Sequence, residues 1–241
     1  MQNILVIAKR EINSYFASPI AYVAVAVYLV LAGFIFVFNV NAMATYGAPV
    51  SMQGQFGTMV FLWLIFAPPL TMRLLAEEQR MGTLELLLTS PVRDWEVVLG
   101  KFLGSLAIMA LTIILTFAYG LILRVNGNAD VGPMAAGYLG LFLTGASLMS
   151  IGVMASAMTQ NQVIAALLSF VTTLILWIIS ATGQLMSNLT ASQIFTQLDF
   201  FEHTNNFWRG IVDTNDMVYF VSLIALALFI ATRVLETRRW R

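Results

Sequence analysis

Cysteine is absent from the 241 residues of the chain, and histidine occurs once, at His203. The lack of cysteine excludes disulfides, thiolate nucleophiles and cysteine-ligated metal sites. The single histidine has no cysteine that it could activate as a nucleophile, and the serines of the apolar runs have no basic partner. The sequence therefore offers no catalytic set of residues and argues against an intramembrane enzyme.

Charge is scarce as well. Only 10% of the residues are charged and 59% are hydrophobic, whereas about a quarter of the residues of a soluble domain are charged. No charged residue occurs from Ile12 to Met72 or from Phe102 to Leu123. Runs of this length predict an all-α integral membrane protein in contact with the lipid bilayer. The net charge is zero, so nothing in the composition favours nucleic acid.

An energy source is also missing. A phosphate-binding loop needs the pattern G-x-x-x-x-G-K-S/T. In this chain Phe102 follows Gly100-Lys101, and Trp95 occupies the place of the first glycine. The apolar runs hold no Asp, Glu, His or Lys near their middle, where ion-coupled carriers place such groups. We therefore expect no cofactor in this chain and an energy supply from a partner protein.

The apolar runs divide into six predicted helical spans within a single transmembrane domain, residues 1–241. The predicted spans are residues 20–38, 56–75, 102–123, 134–158, 163–185 and 217–235. An amphipathic helix over residues 1–19 is expected to lie in the membrane interface, with ordinary flanking sequence of the first span as the alternative. The fourth span is rich in glycine and serine, which let helices approach closely in lipid.

Lysine and arginine predict the orientation of these spans. Of the 12 Lys and Arg residues, only Arg124 and Arg209 fall on one side of the predicted topology. The other side carries both termini and the loop of residues 76–101. Because cytoplasmic loops are enriched in Lys and Arg, we expect both termini and this loop to be cytoplasmic.

Residues 73–101, here called the charged segment, read RLLAEEQRMGTLELLLTSPVRDWEVVLGK. Gly82 predicts a break, because glycine is a poor residue inside a helix. Thr83 can cap a new short helix, with Glu85 in its first turn where the dipole favours an acid. Pro91 predicts the end of this helix, and Asp94 can cap the next one. The pattern predicts a short helix held crosswise between two spans.

The order Glu78-x-x-x-Gly82-Thr83-Leu84-Glu85-x-Leu87-Leu88-x-x-Pro91-Val92 resembles the signature of the ABC-2 family of ABC-transporter permeases. In that family this stretch is the cytoplasmic coupling loop, which docks on a separate ATPase subunit. The alternative is a loop that only fixes topology, for which Lys and Arg alone would suffice. The resemblance implies these contact residues for the ATPase: Glu78, Arg80, Gly82, Thr83, Glu85, Leu87, Leu88 and Pro91.

A second resemblance lies in the predicted outer loop, residues 186–216. The order Phe201-Glu202-His203, then Phe207-x-Arg209-Gly210-x-Val212-Asp213, then Asp216 and Tyr219 is similar to the matching region of the permeases of gliding motility and nitrous-oxide accessory systems. In ABC-2 exporters helices at this position cap the outer end of the pathway, and an interfacial or re-entrant helix is expected here. The implied outer gate residues are Phe201, Glu202, His203, Phe207 and Arg209.

Asp199, Glu202 and His203 have the i, i+3, i+4 spacing that could bring them together on one helix face. This arrangement is compatible with a metal ion, which prefers convergent histidine and carboxylate ligands. One histidine is weak support, since structural sites use more ligands. We therefore interpret these residues as ordinary polar side chains at the protein surface and predict no metal site.

These features favour the permease subunit of an ATP-driven exporter, working by alternating access in the bacterial inner membrane. The resemblance implies a second permease chain, identical or related, and two ATPase subunits that bind ATP and Mg²⁺. The alternative is a membrane anchor or assembly factor without transport activity. Hydroxyl groups expected along the pathway belong to Thr112, Thr116, Ser169, Thr172 and Thr173.

Overall fold

The computed structural model describes residues 2–47, 49–83, 92–127, 129–183 and 197–239. Within these ranges the chain is helical, without strands, which confirms the all-α prediction. The helices are α1 (Gln2–Ala17), α2 (Pro19–Tyr46), α3 (Gln53–Thr71), α4 (Arg73–Arg80), α5 (Asp94–Gly127), α6 (Val131–Met158), α7 (Gln162–Gly183), α8 (Phe200–Trp208) and α9 (Thr214–Arg239).

Five stretches of the described helices are long and apolar enough to cross a membrane. They are α2, α3 continued by α4, α5, α6 and α9. The apolar part of α7 that the structure describes, Gln162–Ile178, is shorter. Helix α7 nonetheless lies where the fifth span was predicted, so the count of six spans stays a prediction.

Helix α5 begins at Asp94, well before the predicted third span at residue 102. Asp94 and Glu96 occupy its first turn, where acids are favoured by the helix dipole. The Glu96 carboxylate also accepts a hydrogen bond from the backbone N–H of Arg93, at 3.0 Å. This is the side-chain half of a capping box. The sequence had suggested Asp94 as the cap of this helix. In the structure Asp94 lies within the first turn instead.

Helix α6 is the centre of the fold. Of the residues in its 18-residue apolar stretch, 78% are buried, compared with 22% in the corresponding stretches of α2 and α9. Its glycines lie directly against large neighbours: Phe56 of α3 at Gly137, Phe207 of α8 at Gly140, and Thr71 of α3 at Gly152. The prediction that small residues of this span allow close packing is confirmed by these contacts.

We expect Gly152→Ala to destabilise the fold by about 1–3 kcal/mol, because the new Cβ would overlap Thr71 and force the buried α3–α6 contact apart. Gly57→Ala in α3 is the matched control, since its Cβ would meet the Trp208 ring at an ordinary 3.5 Å. That change should be neutral or stabilise by up to about 1 kcal/mol through helix propensity. Unfolding midpoints in one detergent would compare them. A Gly152→Ala midpoint at or above wild type would contradict the prediction.

Candidate functional site

The charged segment lies at one end of the helical bundle, and its two described parts belong to α4 and α5. Helix α4 ends at Arg80, and Gly82 follows with a positive φ of 69°, which agrees with the predicted break. Arg80 and Thr83 are exposed, and the Thr83 hydroxyl donates to the Glu78 carbonyl at 3.3 Å.

Four residues of the predicted ATPase contact lie outside the described residues. They are Glu85, Leu87, Leu88 and Pro91, and the predicted crosswise helix lies among them.

Four charged side chains from three helices form an ion cluster at the base of this segment: Arg10, Glu11, Glu78 and Lys101. The Lys101 ammonium is 2.8 Å from Glu11 Oε1 and 3.0 Å from Glu78 Oε1. The Arg10 guanidinium binds the same oxygen of Glu78. Lys101 is 1% exposed, so the two carboxylates compensate a cation that is removed from water.

Glu78 therefore differs from the exposed docking acid that the sequence suggested. It is only 8% exposed and its carboxylate points to the two cations. The reason is that Arg10 of α1 and Lys101 of α5 hold this carboxylate, contacts that the local sequence of the charged segment does not reveal. Glu78 joins the charged segment to α1 and α5 within the subunit.

Two glycines bring α1 against α5. A Cβ atom at Gly100 would lie 2.7 Å from the Ile7 side chain, and one at Gly104 would lie 2.5 Å from the Glu11 Cβ. This close approach is what allows the Glu11 carboxylate to reach Lys101. Asn3 adds a hydrogen bond to Glu96 at 3.2 Å, so α1 is held along the first turns of α5.

Tyr15 connects α1 to the end of α3. Its hydroxyl donates to the Leu70 carbonyl at 2.7 Å, and its side chain is buried. Burial raises the pKa of the Tyr15 phenol, and the neighbouring Glu11 carboxylate raises it further. The phenol therefore remains a proton donor at physiological pH.

A serine of α6 closes the break between α3 and α4. Pro68 and Pro69 precede the break, and the Ser156 hydroxyl donates to the Met72 carbonyl at 2.8 Å. The same oxygen accepts from the backbone N–H groups of Leu75 and Ala76, both at 3.0 Å. Ser156 thus satisfies backbone groups that the interrupted helix leaves open, as buried backbone N–H and C=O groups require. Neither Ser156 nor the ion cluster was singled out from the sequence.

A cleft of about 280 Å³ opens beside the ion cluster, between α1 and α4. Ser14, Glu77 and Met81 form part of its wall, together with the cluster itself. Within the described residues no three carboxylates or imidazoles lie close enough together to hold a metal ion. The ion cluster is suited to holding α1, α4 and α5 together through opposite charges.

The predicted outer gate residues lie at the opposite end, on or beside α8. Asp199 caps this helix by accepting from the N–H groups of Phe201 and Glu202, at 2.9 and 2.8 Å. Phe207 is fully buried against α6, whereas Phe201 and Arg209 are exposed. The described part of the predicted outer loop therefore contains a helix that packs on α6.

His203 bonds Asp216 of α9 through Nδ1, its Nε2 lies 3.2 Å from the Gln197 carbonyl, and its ring stacks on Tyr219 with centroids 4.2 Å apart. The structure therefore gives Asp199 and His203 separate partners, and it does not bring the three spaced residues together around one point.

The hydroxyl groups expected along a pathway are mostly buried within the subunit. Thr112, Thr116, Ser169 and Thr173 are at most 2% exposed, and the threonines bond carbonyls of their own helices. Thr172 is partly exposed and bonds the Leu168 carbonyl. The reason is that threonine satisfies its hydroxyl on the preceding turn and then packs like an apolar residue.

Comparison with known proteins gives a family for almost the whole chain. The family model described as "ABC-2 family transporter protein" matches residues 5–239. A search of curated proteins finds no match.

Proposed function

The chain belongs to the ABC-2 family of transporter proteins, and on this premise we propose that it is a permease subunit whose charged segment receives the force of a separate ATPase. Members of this family are multi-pass membrane proteins that form the translocation component of a transporter. They are not themselves catalytic and generally work with an ABC ATPase. ATP and Mg²⁺ would then bind in the partner.

The ion cluster is the observation that carries the proposal. The charged segment begins in α4 and ends in α5, and Glu78 and Lys101 bind each other across this pair at 3.0 Å. Glu11 adds α1 to the same contact. A displacement of residues 82–91 would therefore move three helices together, instead of being absorbed by a loose loop.

From α4 the displacement would continue into the bundle through α6. Ser156 holds the α3–α4 break, and the Gln79 amide donates to the neighbouring Ala157 carbonyl at 2.9 Å. Helix α4 would act as a short lever against the central helix, with the break after Pro69 as its pivot. Opening and closing of the pathway by this lever is our proposal for alternating access.

We extend the proposal to orientation, assembly and direction. The described cations Lys9, Arg10, Arg73, Arg80 and Lys101 belong to the end that holds the charged segment, which supports a cytoplasmic location. Two copies of the chain, or this chain with a related one, would pair above two ATPase subunits. We propose export from a bacterial cytoplasm, and the gliding-motility and nitrous-oxide subgroup as a working hypothesis.

We assign docking to the exposed Arg80 and Thr83 and to Glu85, Leu87, Leu88 and Pro91, and a gating role to the residues around α8. Glu78 serves as the internal link to α1 and α5.

Co-purification with the ATPase tests this assignment. We expect Glu85→Arg to lower the amount of ATPase retained by the chain in mild detergent by roughly tenfold, which corresponds to about 1.4 kcal/mol. Asp213→Arg is the control, because it makes the same change of charge on an exposed residue at the opposite end; the Asp213 carboxylate also caps α9 by accepting from the Asn215 N–H at 3.2 Å, so the unfolding midpoint of this variant is measured as well. ATP hydrolysis by the purified complex would be measured alongside.

Equal retention of the ATPase by wild type and Glu85→Arg would contradict the role of Glu85. Failure of the wild-type chain to retain any ATPase encoded beside it would instead favour the anchor or assembly factor.

A further inference from the structure

An apolar groove lies between α5 and α6, far from the ion cluster. It is an open groove with a volume of about 650 Å³, which is within the range of small-molecule sites. Phe117, Leu121, Met134 and Tyr138 form its walls. The Tyr138 hydroxyl is already used, since it donates to the Thr116 carbonyl at 2.8 Å. An occupant of the groove must therefore be apolar along most of its length.

Arg124 lies at the rim of this groove. Along α5 it is about 35 Å from Lys101, at about 1.5 Å per residue. This distance is close to the ~30 Å hydrocarbon thickness of a bilayer. If the ion cluster lies at one membrane surface, Arg124 reaches the headgroup level of the opposite leaflet.

The Arg124 side chain is both oriented and available. Its Nη1 donates to the Ala129 carbonyl at 3.0 Å, which fixes the guanidinium at the end of the groove. The residue remains exposed, and a guanidinium carries further N–H donors suited to phosphate. Asp130 is nearby in sequence, but its carboxylate accepts from the Gly132 N–H at 3.1 Å and caps α6.

We propose that this groove binds an anionic phospholipid of the leaflet opposite the ion cluster. One acyl chain lies between α5 and α6, and the phosphate binds Arg124. A phospholipid combines the two properties that the groove requires, a long apolar tail and an anionic group at its end. This site is independent of the ATPase coupling proposed above.

Native mass spectrometry of the purified chain tests the proposal, with phosphatidylglycerol and phosphatidylcholine added at equal concentration. We expect wild type to retain phosphatidylglycerol preferentially. Arg124→Gln should lower this retention roughly tenfold or more, as expected for the loss of a charge-assisted hydrogen bond. Arg209→Gln is the control, because Arg209 is an exposed cation at the same end that does not line the groove.

A second pair of variants tests the apolar part. Ala135→Phe would fill the groove from an exposed position and should also reduce retention, whereas Ala26→Phe on the exposed face of α2 should not. Because both alanines are exposed, the variants should keep the wild-type unfolding midpoint.

The site would be overturned by equal retention of both lipids by wild type, by equal retention by the two arginine variants, or by full retention by Ala135→Phe. Displacement of the lipid by excess inorganic phosphate would show that the anion alone is recognised, which would also overturn it.

Discussion

Lys101→Met is expected to destabilise the chain by about 3–5 kcal/mol, the usual cost of removing one partner of a buried ion pair. Lys101 is 1% exposed, and among the described residues its loss would leave the buried Glu11 carboxylate with the more distant Arg10 as its remaining cation, at 4.0 Å. Methionine keeps most of the length of the side chain, so the effect would report the missing charge. Unfolding midpoints in detergent would measure it, and ATPase activity of the complex would measure coupling.

Lys9→Met is the control for this change, because Lys9 is an exposed lysine of α1. Its effect should remain within about 0.5 kcal/mol, as for ordinary surface substitutions. Adding Glu11→Gln to Lys101→Met should recover part of the lost stability, since the uncompensated carboxylate would be gone. Equal midpoints for Lys9→Met and Lys101→Met would show that the ion cluster does not stabilise the fold.

Ser156→Ala is the second large effect, because it removes the one hydroxyl that serves three backbone groups of the α3–α4 break. A buried polar group without a partner costs about 1–3 kcal/mol, so a total of roughly 3 kcal/mol or more is expected. The break itself should also loosen. ATP hydrolysis in the complex should then depend less on transport substrate, whereas binding of the ATPase should be retained.

Ser150→Ala on the same helix provides the comparison. Ser150 is equally buried, but in the part of the chain that the structure describes its hydroxyl bonds the Ser147 carbonyl of its own helix alone, at 2.7 Å. Its loss leaves no donor of another helix unsatisfied and should cost less than about 1 kcal/mol. Similar losses from Ser150→Ala and Ser156→Ala would contradict a special role for Ser156.

The layout of the helices could be predicted from the sequence because it follows from local properties. Long runs without charge predicted the apolar helices, and Gly82 predicted the end of α4. The glycines and serines of the predicted span 134–158 predicted close packing against neighbouring helices. Each of these signals acts within a few turns of its own position.

The ion cluster could not be predicted in this way. Glu11 and Lys101 are 90 residues apart in the chain, and each resembles an ordinary charge near a membrane surface. The one local signal was the pair Gly100 and Gly104, one helical turn apart, which favours close contact with another helix but does not name it. The burial of Glu78 could not be predicted for the same reason, since it depends on where α1 and α5 lie.

The burial of α6 has a consequence for how the chain enters the membrane during synthesis. The two most buried membrane-length stretches, Gln53–Arg80 and α6, share the lowest mean hydropathy, 1.7, whereas α2 reaches 2.6. Their glycine and hydroxyl groups are favourable against protein and less so against lipid. Because the ribosome delivers the N-terminal helices first, α6 leaves the translocon when α3 and α5 are already in place. Those two helices then offer a protein surface against which the glycine and hydroxyl groups of α6 can pack as soon as it enters the bilayer.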